Sequence, residues 1–215
     1  MRTRVKICGI TSAEDAAAAV DAGADAVGVV LAPSPRRVTL DQAADVLSAV
    51  PPLVSRIGVF VDPSLEELAE AVARLRLDYV QLCGDEPPEL CEQAPAPVVK
   101  VIHIGTTFDV QSAEPYRGLV AALLFDTHVT GIRGGTGKVF TWQDLHELPA
   151  WAPLFLAGGL DPRNVGEAIR ALRPYAVDVS SGVESSPGHK DHGRVQAFTA
   201  AVRAADSDCY LEVSS

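Results

Sequence analysis

Three short strings set far apart in the chain carry the residue types that can do chemistry: KICGIT at 6–11, LLFDT at 123–127, and AGGL at 157–160 with DVSSGVE at 178–184. Each puts a polar, reactive or glycine-rich cluster directly after a short apolar run. In the first, Lys6 and Cys8 are two apart and share a strand face, with Val5 and Ile7 on the other. An ammonium beside a thiol lowers its pKa from ~8.5 and supplies a thiolate as base or nucleophile, whereas a buried cysteine without such a neighbour is a small hydrophobe. In the second string, Asp126 ends an apolar run, where a charged carboxyl is costly to bury. Its pKa is expected to be raised, which makes it a candidate general acid; the plainer role is to cap or order the following loop.

Gly158 and Gly159, then Ser180, Ser181 and Gly182, supply small residues after two consecutive apolar runs, where backbone N–H groups can meet a phosphate dianion. Arg37 in SPRRV can pair bidentately with a carboxylate. Gln81 and Cys83 share one strand face, and Asp178 faces the same way as Ser180. The stretch GIRGGTGK at 131–138 fails as a phosphate-binding P-loop, because Ile132 stands where a glycine is required and Val139 follows Lys138. A lid is the better reading, with Arg133 or Lys138 meeting a substrate anion.

These residues need a frame that brings strand ends together. Apolar runs at 4–9, 25–31, 54–61, 78–83, 97–103, 119–126, 153–157 and 175–180 alternate with helix-like segments at 12–22, 39–49, 64–76, 86–94, 109–117, 141–147, 161–172 and 190–204. Ser12 with Asp15, and Ser64 with Glu67, are helix-start signals. Eight strand–helix units are too regular for two unrelated domains, so the expected fold is a single-domain α/β chain closed into a (β/α)8 barrel over 1–205, with a doubly wound open sheet as the alternative. A barrel gathers its chemistry at the carboxyl ends of the strands and makes strands eight and one neighbours, which would put Asp178 near Lys6. The residues 206–215 show no clear pattern and are expected to form a loosely ordered tail.

A formal net charge of −10 argues against nucleic acid and anionic membranes, whose binding relies on Lys and Arg. No run approaches the ~20 apolar residues of a membrane span, and no signal-peptide core precedes the first strand, so a cytoplasmic protein is expected. The four cysteines form no CxxC pair and lack metal-ligand spacing to the five histidines, so neither a metal nor a disulfide framework is expected.

Taken together, KICGIT, GADAVGVVL, SPRRV, GVFV, VQLCG, LLFDT, GGTGKVFTW, AGGLDPRNV and DVSSGVESSPGHKD resemble the phosphoribosylanthranilate isomerase family of tryptophan biosynthesis, in order over nearly the whole chain. The resemblance implies a (β/α)8 barrel that needs no cofactor or metal. It implies an Amadori rearrangement of N-(5′-phosphoribosyl)anthranilate to 1-(2-carboxyphenylamino)-1-deoxyribulose 5-phosphate. On it Cys8 matches the general base, Asp126 the general acid, Arg37 a contact to the anthranilate carboxylate, and the loops at Gly158, Gly159 and Ser180 to Gly182 the phosphate site. One position departs: the family usually reads VQLHG, and Cys83 stands here for the histidine that helps hold the anthranilate. The partner is then a small phosphorylated molecule, with the chain a monomer or a homodimer. The alternative is another phosphate-binding barrel enzyme, such as a pentose-phosphate epimerase or an indole-glycerol-phosphate synthase-like protein; an epimerase would need metal-binding His or Asp positions at strand ends, where His103 is the one histidine. A barrel kept as a non-catalytic binding module is disfavoured by the presence of both Cys8 and Asp126.

Overall fold

The computed structural model describes residues 2–104, 110–126 and 148–213, with side chains as far as 208. The strands and helices alternate as β1 (Arg4–Cys8), α1 (Ala13–Ala22), β2 (Ala26–Val30), α2 (Leu40–Ser48), β3 (Ser55–Phe60), α3 (Leu65–Leu75), β4 (Tyr79–Leu82), α4 (Pro88–Gln93), β5 (Val98–His103) and β6 (Ala122–Asp126). They continue with β7 (Leu154–Ala157), α5 (Val165–Leu172), β8 (Ala176–Val179), a small hairpin of β9 (Glu184–Ser186) and β10 (His189–Lys190), and α6 (His192–Val213). β1 to β8 form a closed barrel, every neighbouring pair parallel, with β1 bonded to both β2 and β8. The open-sheet alternative is thereby excluded.

Local chemistry explains where the helices start. Thr39 and Gln42 form a reciprocal capping box at α2, and Ser64 with Glu67 forms another at α3, each satisfying two backbone N–H groups that the first turn leaves without helical partners. Ser12 caps α1 by accepting from the Asp15 N–H. Between β5 and β6 the expected α-helix is instead a 3-10 helix, Val110–Tyr116, with Pro115 inside it. A proline has no N–H to give and crowds the preceding turn, so the chain keeps to a short tight coil there. The helix expected at 141–147 lies outside the described residues.

The last helix passes the boundary expected at Ala205 without a break. Ala205 is buried, and Asp206 accepts from the Thr3 N–H and hydroxyl, both at 2.7 Å, tying α6 to the start of β1. That tie is invisible to a hydropathy pattern because its two ends stand at opposite ends of the chain.

Strand alternation sorts the side chains into two cores. Val5 and Ile7 of β1, Val27 and Val29 of β2, and Phe125 of β6 face outward and pack with helix residues such as Leu68 and Phe198. Val99, Val101, Ala122 and Leu124 fill the barrel interior, and Cys8 lies inside with Val30, Ala32 and Val59. At about 1.5–3 kcal/mol per buried aliphatic or aromatic side chain, the outer layer supplies most of the drive to close the ring and so fixes where the strand ends meet.

Candidate active site

The inward faces predicted for β1 are the observed ones: Lys6 and Cys8 point into the barrel while Val5 and Ile7 join the helix-facing core. Lys6 Nζ donates to Asp178 Oδ2 at 2.8 Å, so the proximity expected of strands one and eight is present as a buried ion pair. Burial alone would lower the Lys6 pKa, but the Asp178 carboxylate and Cys8 reverse this and hold the ammonium protonated above its ordinary range.

Lys6 lowers the Cys8 pKa as expected from sequence, but the net shift of the thiol is upward. Burial pushes the thiol above its ordinary range, and although Lys6 pulls it down, Asp178 pushes it up as well. The lysine charge is already spent on a carboxylate that itself disfavours a thiolate, so the resting Cys8 is a neutral thiol. Room for it comes from Gly28, its register partner on β2, where an added Cβ would stand 3.0 Å from Cys8 Sγ and 3.2 Å from Lys6 Cε.

A cavity of about 260 Å³ opens at the carboxyl ends of the strands. Cys8 from β1, Gln81 and Cys83 from β4 and its loop, and Asp126 from β6 line one part of it. Gly158 and Gly159 after β7, with Asp178, Ser180 and Ser181 of β8 and its loop, line the other. Nine of the residues singled out from sequence therefore share one cavity. Gly158 and Gly159 have φ of 93° and 64°, the left-handed region that glycine adopts without strain, so the β7 loop can turn its backbone to the cavity. Gln81 Oε1, Asp178 Oδ1 and Ser180 Oγ are buried without a hydrogen-bond partner among the described residues, and the residues that carry them line the cavity. Buried polar atoms left unbonded are costly, and a polar ligand would satisfy all three. Cys83 accepts from Gln81 Nε2 at 3.4 Å, and burial pushes its thiol up to about 12 against that contact.

Two sequence candidates stand elsewhere. Arg37 is exposed on the loop after β2 and does not line this cavity; the bidentate carboxylate pair in SPRRV belongs to its neighbour Arg36, which grips Glu184 with two bonds of 2.7 Å. Gly182 is the middle residue of the short 3-10 turn Ser181–Val183, and its missing side chain faces backbone rather than ligand space: a Cβ would meet the Leu160 carbonyl oxygen at 1.9 Å. This glycine lets the β7 and β8 loops touch. Arg133 and Lys138, read as lid residues, lie outside the described residues.

Sequence reasoning missed two buried networks that hold the site loops. Glu184 also takes Lys190 Nζ at 2.7 Å, and Lys190 donates to the Ser180 carbonyl at 3.3 Å, so the loops after β2 and β8 and the β9–β10 hairpin are locked together. Lys100 of β5 donates to Glu86 Oε2 and to the Gly84 carbonyl, both at 2.8 Å, while Glu86 Oε1 receives the N–H groups of Asp62 and Gly84. That pair shapes the loop that carries Cys83. The available signal was a lone lysine in the apolar run PVVKVIH; the partners are too distant in sequence for spacing to reveal. No group of three or more potential metal ligands occurs among the described residues.

The family model "PRAI: N-(5'phosphoribosyl)anthranilate (PRA) isomerase" matches residues 5–201. The N-(5'-phosphoribosyl)anthranilate isomerase of Geobacter sulfurreducens is 49% identical over 197 residues, covering 91% of this chain and 96% of its own. The crystal structure of phosphoribosyl anthranilate isomerase from Thermotoga maritima superimposes with a TM-score of 0.84 at 40% identity over 94% of this chain and 99% of that one. A phosphoribosyl anthranilate isomerase in complex with reduced 1-(o-carboxyphenylamino)-1-deoxyribulose 5-phosphate gives 0.81 at 38% identity, with coverage of 94% and 99%. A match across the whole barrel at this identity sets aside the epimerase reading, and the chain belongs to the phosphoribosylanthranilate isomerase family.

Proposed function

We propose that the chain catalyses the Amadori rearrangement of N-(5′-phosphoribosyl)anthranilate to 1-(2-carboxyphenylamino)-1-deoxyribulose 5-phosphate in tryptophan biosynthesis. The observation that carries the reading is one cavity lined by Cys8, Asp126 and the two small-residue loops, with buried polar atoms of its lining residues left without hydrogen-bond partners among the described residues. Phosphate is held at Gly158, Gly159 and Ser181 by backbone N–H groups, and Asp178 and Ser180 hold sugar hydroxyls.

Asp126, protonated, gives its proton to the ribose ring oxygen as the anilino nitrogen lone pair expels it from C1′, which opens the ring to an iminium. The cationic nitrogen acidifies the C2′ hydrogen, and Cys8 as thiolate removes it. The C–H electrons form a C1′–C2′ double bond while the C–N π pair returns to nitrogen, giving a neutral enolamine. Protonation of C1′ and loss of the C2′ hydroxyl proton complete the ketone. The productive state needs Cys8 as thiolate, and Lys6 and Lys190 both pull the thiol toward it. No step calls on a metal or cofactor.

The acidic net charge of −10 argues against nucleic acid and anionic membranes as partners, and no helix among the described residues is long and apolar enough to cross a membrane. Leu53 is fully exposed at φ 74° beside a second cavity of about 250 Å³ at the opposite barrel end, an arrangement that favours the homodimer over the monomer. The test is product identification: incubation with freshly made phosphoribosylanthranilate gives the carboxyphenylamino-deoxyribulose phosphate by mass spectrometry and a ketone carbon by NMR. Recovery of anthranilate alone, the hydrolysis product, would reject the reading.

A further inference from the structure

The cavity at the opposite barrel end is separate from the active-site cavity, although the same strands wall both. Lys6, Val99 and Ala122 line it, whereas Cys8, Val101 and Leu124, each two positions further on, line the active-site cavity, and among the described residues none lines both. Lys6 lies between the two and gives its ammonium to Asp178 on the active-site side.

The charge that serves this second cavity is Arg4. As the first residue of β1 it shares the inward face with Lys6, opposite Val5. Its guanidinium carbon stands 4.0 Å from the centroid of the Tyr175 ring, which stacks on Phe155 at 5.9 Å and 15°. An aromatic face holds a cation in place but is no acceptor for its N–H groups in the way an oxygen is. Arg4 Nη1 is buried without a hydrogen-bond partner among the described residues. Asp25, the carboxylate on the same wall, is bonded instead to Arg2 and to the Val5 N–H. A buried donor left unbonded is costly, so an acceptor entering the cavity would recover free energy at Nη1.

The walls select the acceptor. A single guanidinium calls for one negative charge, and its planar fork matches a carboxylate. Beyond Arg4 the lining is Val99, Ala122 and the rings of Tyr79 and Phe155, which take apolar and aromatic surface. The volume of about 250 Å³ lies just under the ~300–1,000 Å³ of drug-sized ligand pockets, so the ligand is small. An apolar side chain from a second copy would fill space here but bring no acceptor to Nη1.

We propose that this cavity is a second ligand site, one that binds a small aromatic monocarboxylate with the carboxylate on the Arg4 guanidinium and the ring against the apolar wall. The assignment does not depend on the isomerase reading. The probes are 3-phenylpropionate and its uncharged counterpart 3-phenylpropionamide, titrated calorimetrically into the full chain, with intermolecular NOEs from the probe ring to Tyr175 and Phe155 giving its location. The parent should bind the carboxylate at least about tenfold more tightly than the amide, as expected for hydrogen bonds to a charged group. Arg4→Met should abolish that preference and Arg4→Lys should keep part of it; the parent titration and the NOEs decide the matter even where Arg4→Met does not fold. Equal affinity for the two probes, no binding of either, NOEs to Leu124 of the active-site cavity instead, or a carboxylate preference that survives Arg4→Met would each overturn the site. Binding that emerges only in Leu53→Asp would overturn it as well, by making a second copy the occupant.

Discussion

Lys6 Nζ and Asp178 Oδ2 lie 2.8 Å apart, at the register position where β1 meets β8 and the barrel closes, with side-chain exposures of 1% and 7%. The pair joins closure of the fold to the chemistry, because Cys8 stands one inward position above the lysine and feels both charges.

Removing one member leaves the other charge buried alone. Lys6→Met should destabilise the protein by about 3–5 kcal/mol in urea unfolding, the cost typical of breaking a buried ion pair. A loss under about 1 kcal/mol would show that the pair is solvated in solution, and its place in the account would go.

Gly28 sets the space for the thiol. A methyl group there stands 3.0 Å from Cys8 Sγ, so the sulfur must move by a few tenths of an ångström. Gly28→Ala should lower kcat by about tenfold with little change in KM, since small misplacements of a reacting group are costly while substrate contacts lie elsewhere. Unchanged kcat would mean that the thiol position is not critical.

Much of the frame was legible in the sequence, for a physical reason. Parallel barrel strands are buried on both faces and read as short apolar runs, and all eight expected runs overlap the observed strands. Capping residues such as Ser64 and Glu67 act over three positions and are equally readable. What could not be read was burial. The sign of the Cys8 shift depends on desolvation outweighing a neighbouring ammonium, and neither the depth of the site nor the commitment of Lys6 to Asp178 shows in a linear string. Glu184 illustrates the same limit, because its partner Arg36 is 148 positions away.

Glu184 gives a pH signature. Burial works against its charged form, but Arg36 and Lys190 overcome this and lower its pKa to about 2. A carboxyl depressed in the folded state adds stability that is fully present above its unfolded pKa of ~4.3 and is lost as pH falls toward the folded value. The melting temperature should therefore fall steeply between pH 4.5 and about 2 in the parent protein and less steeply in Glu184→Gln, which should already be less stable at pH 7. Parallel curves would remove Glu184 as the source.

The contact between the two phosphate loops depends on Gly182. Because an added Cβ would meet the Leu160 carbonyl oxygen at 1.9 Å, even Gly182→Ala must push the β7 and β8 loops apart. The expected result is a higher KM and weaker competitive inhibition by inorganic phosphate. Unchanged phosphate inhibition would locate the anion away from these loops.

The central claim is that Cys8 and Asp126 act as base and acid on one substrate in one cavity. Its most direct measurement is the loss of phosphoribosylanthranilate fluorescence under steady-state conditions for the parent protein, Cys8→Ala and Asp126→Asn, with circular dichroism confirming the fold of each. The account predicts turnover by the parent without added metal and a kcat lowered by roughly 10²–10⁴-fold in each variant, the usual contribution of a general acid or base. Near-parental kcat in either folded variant would contradict it.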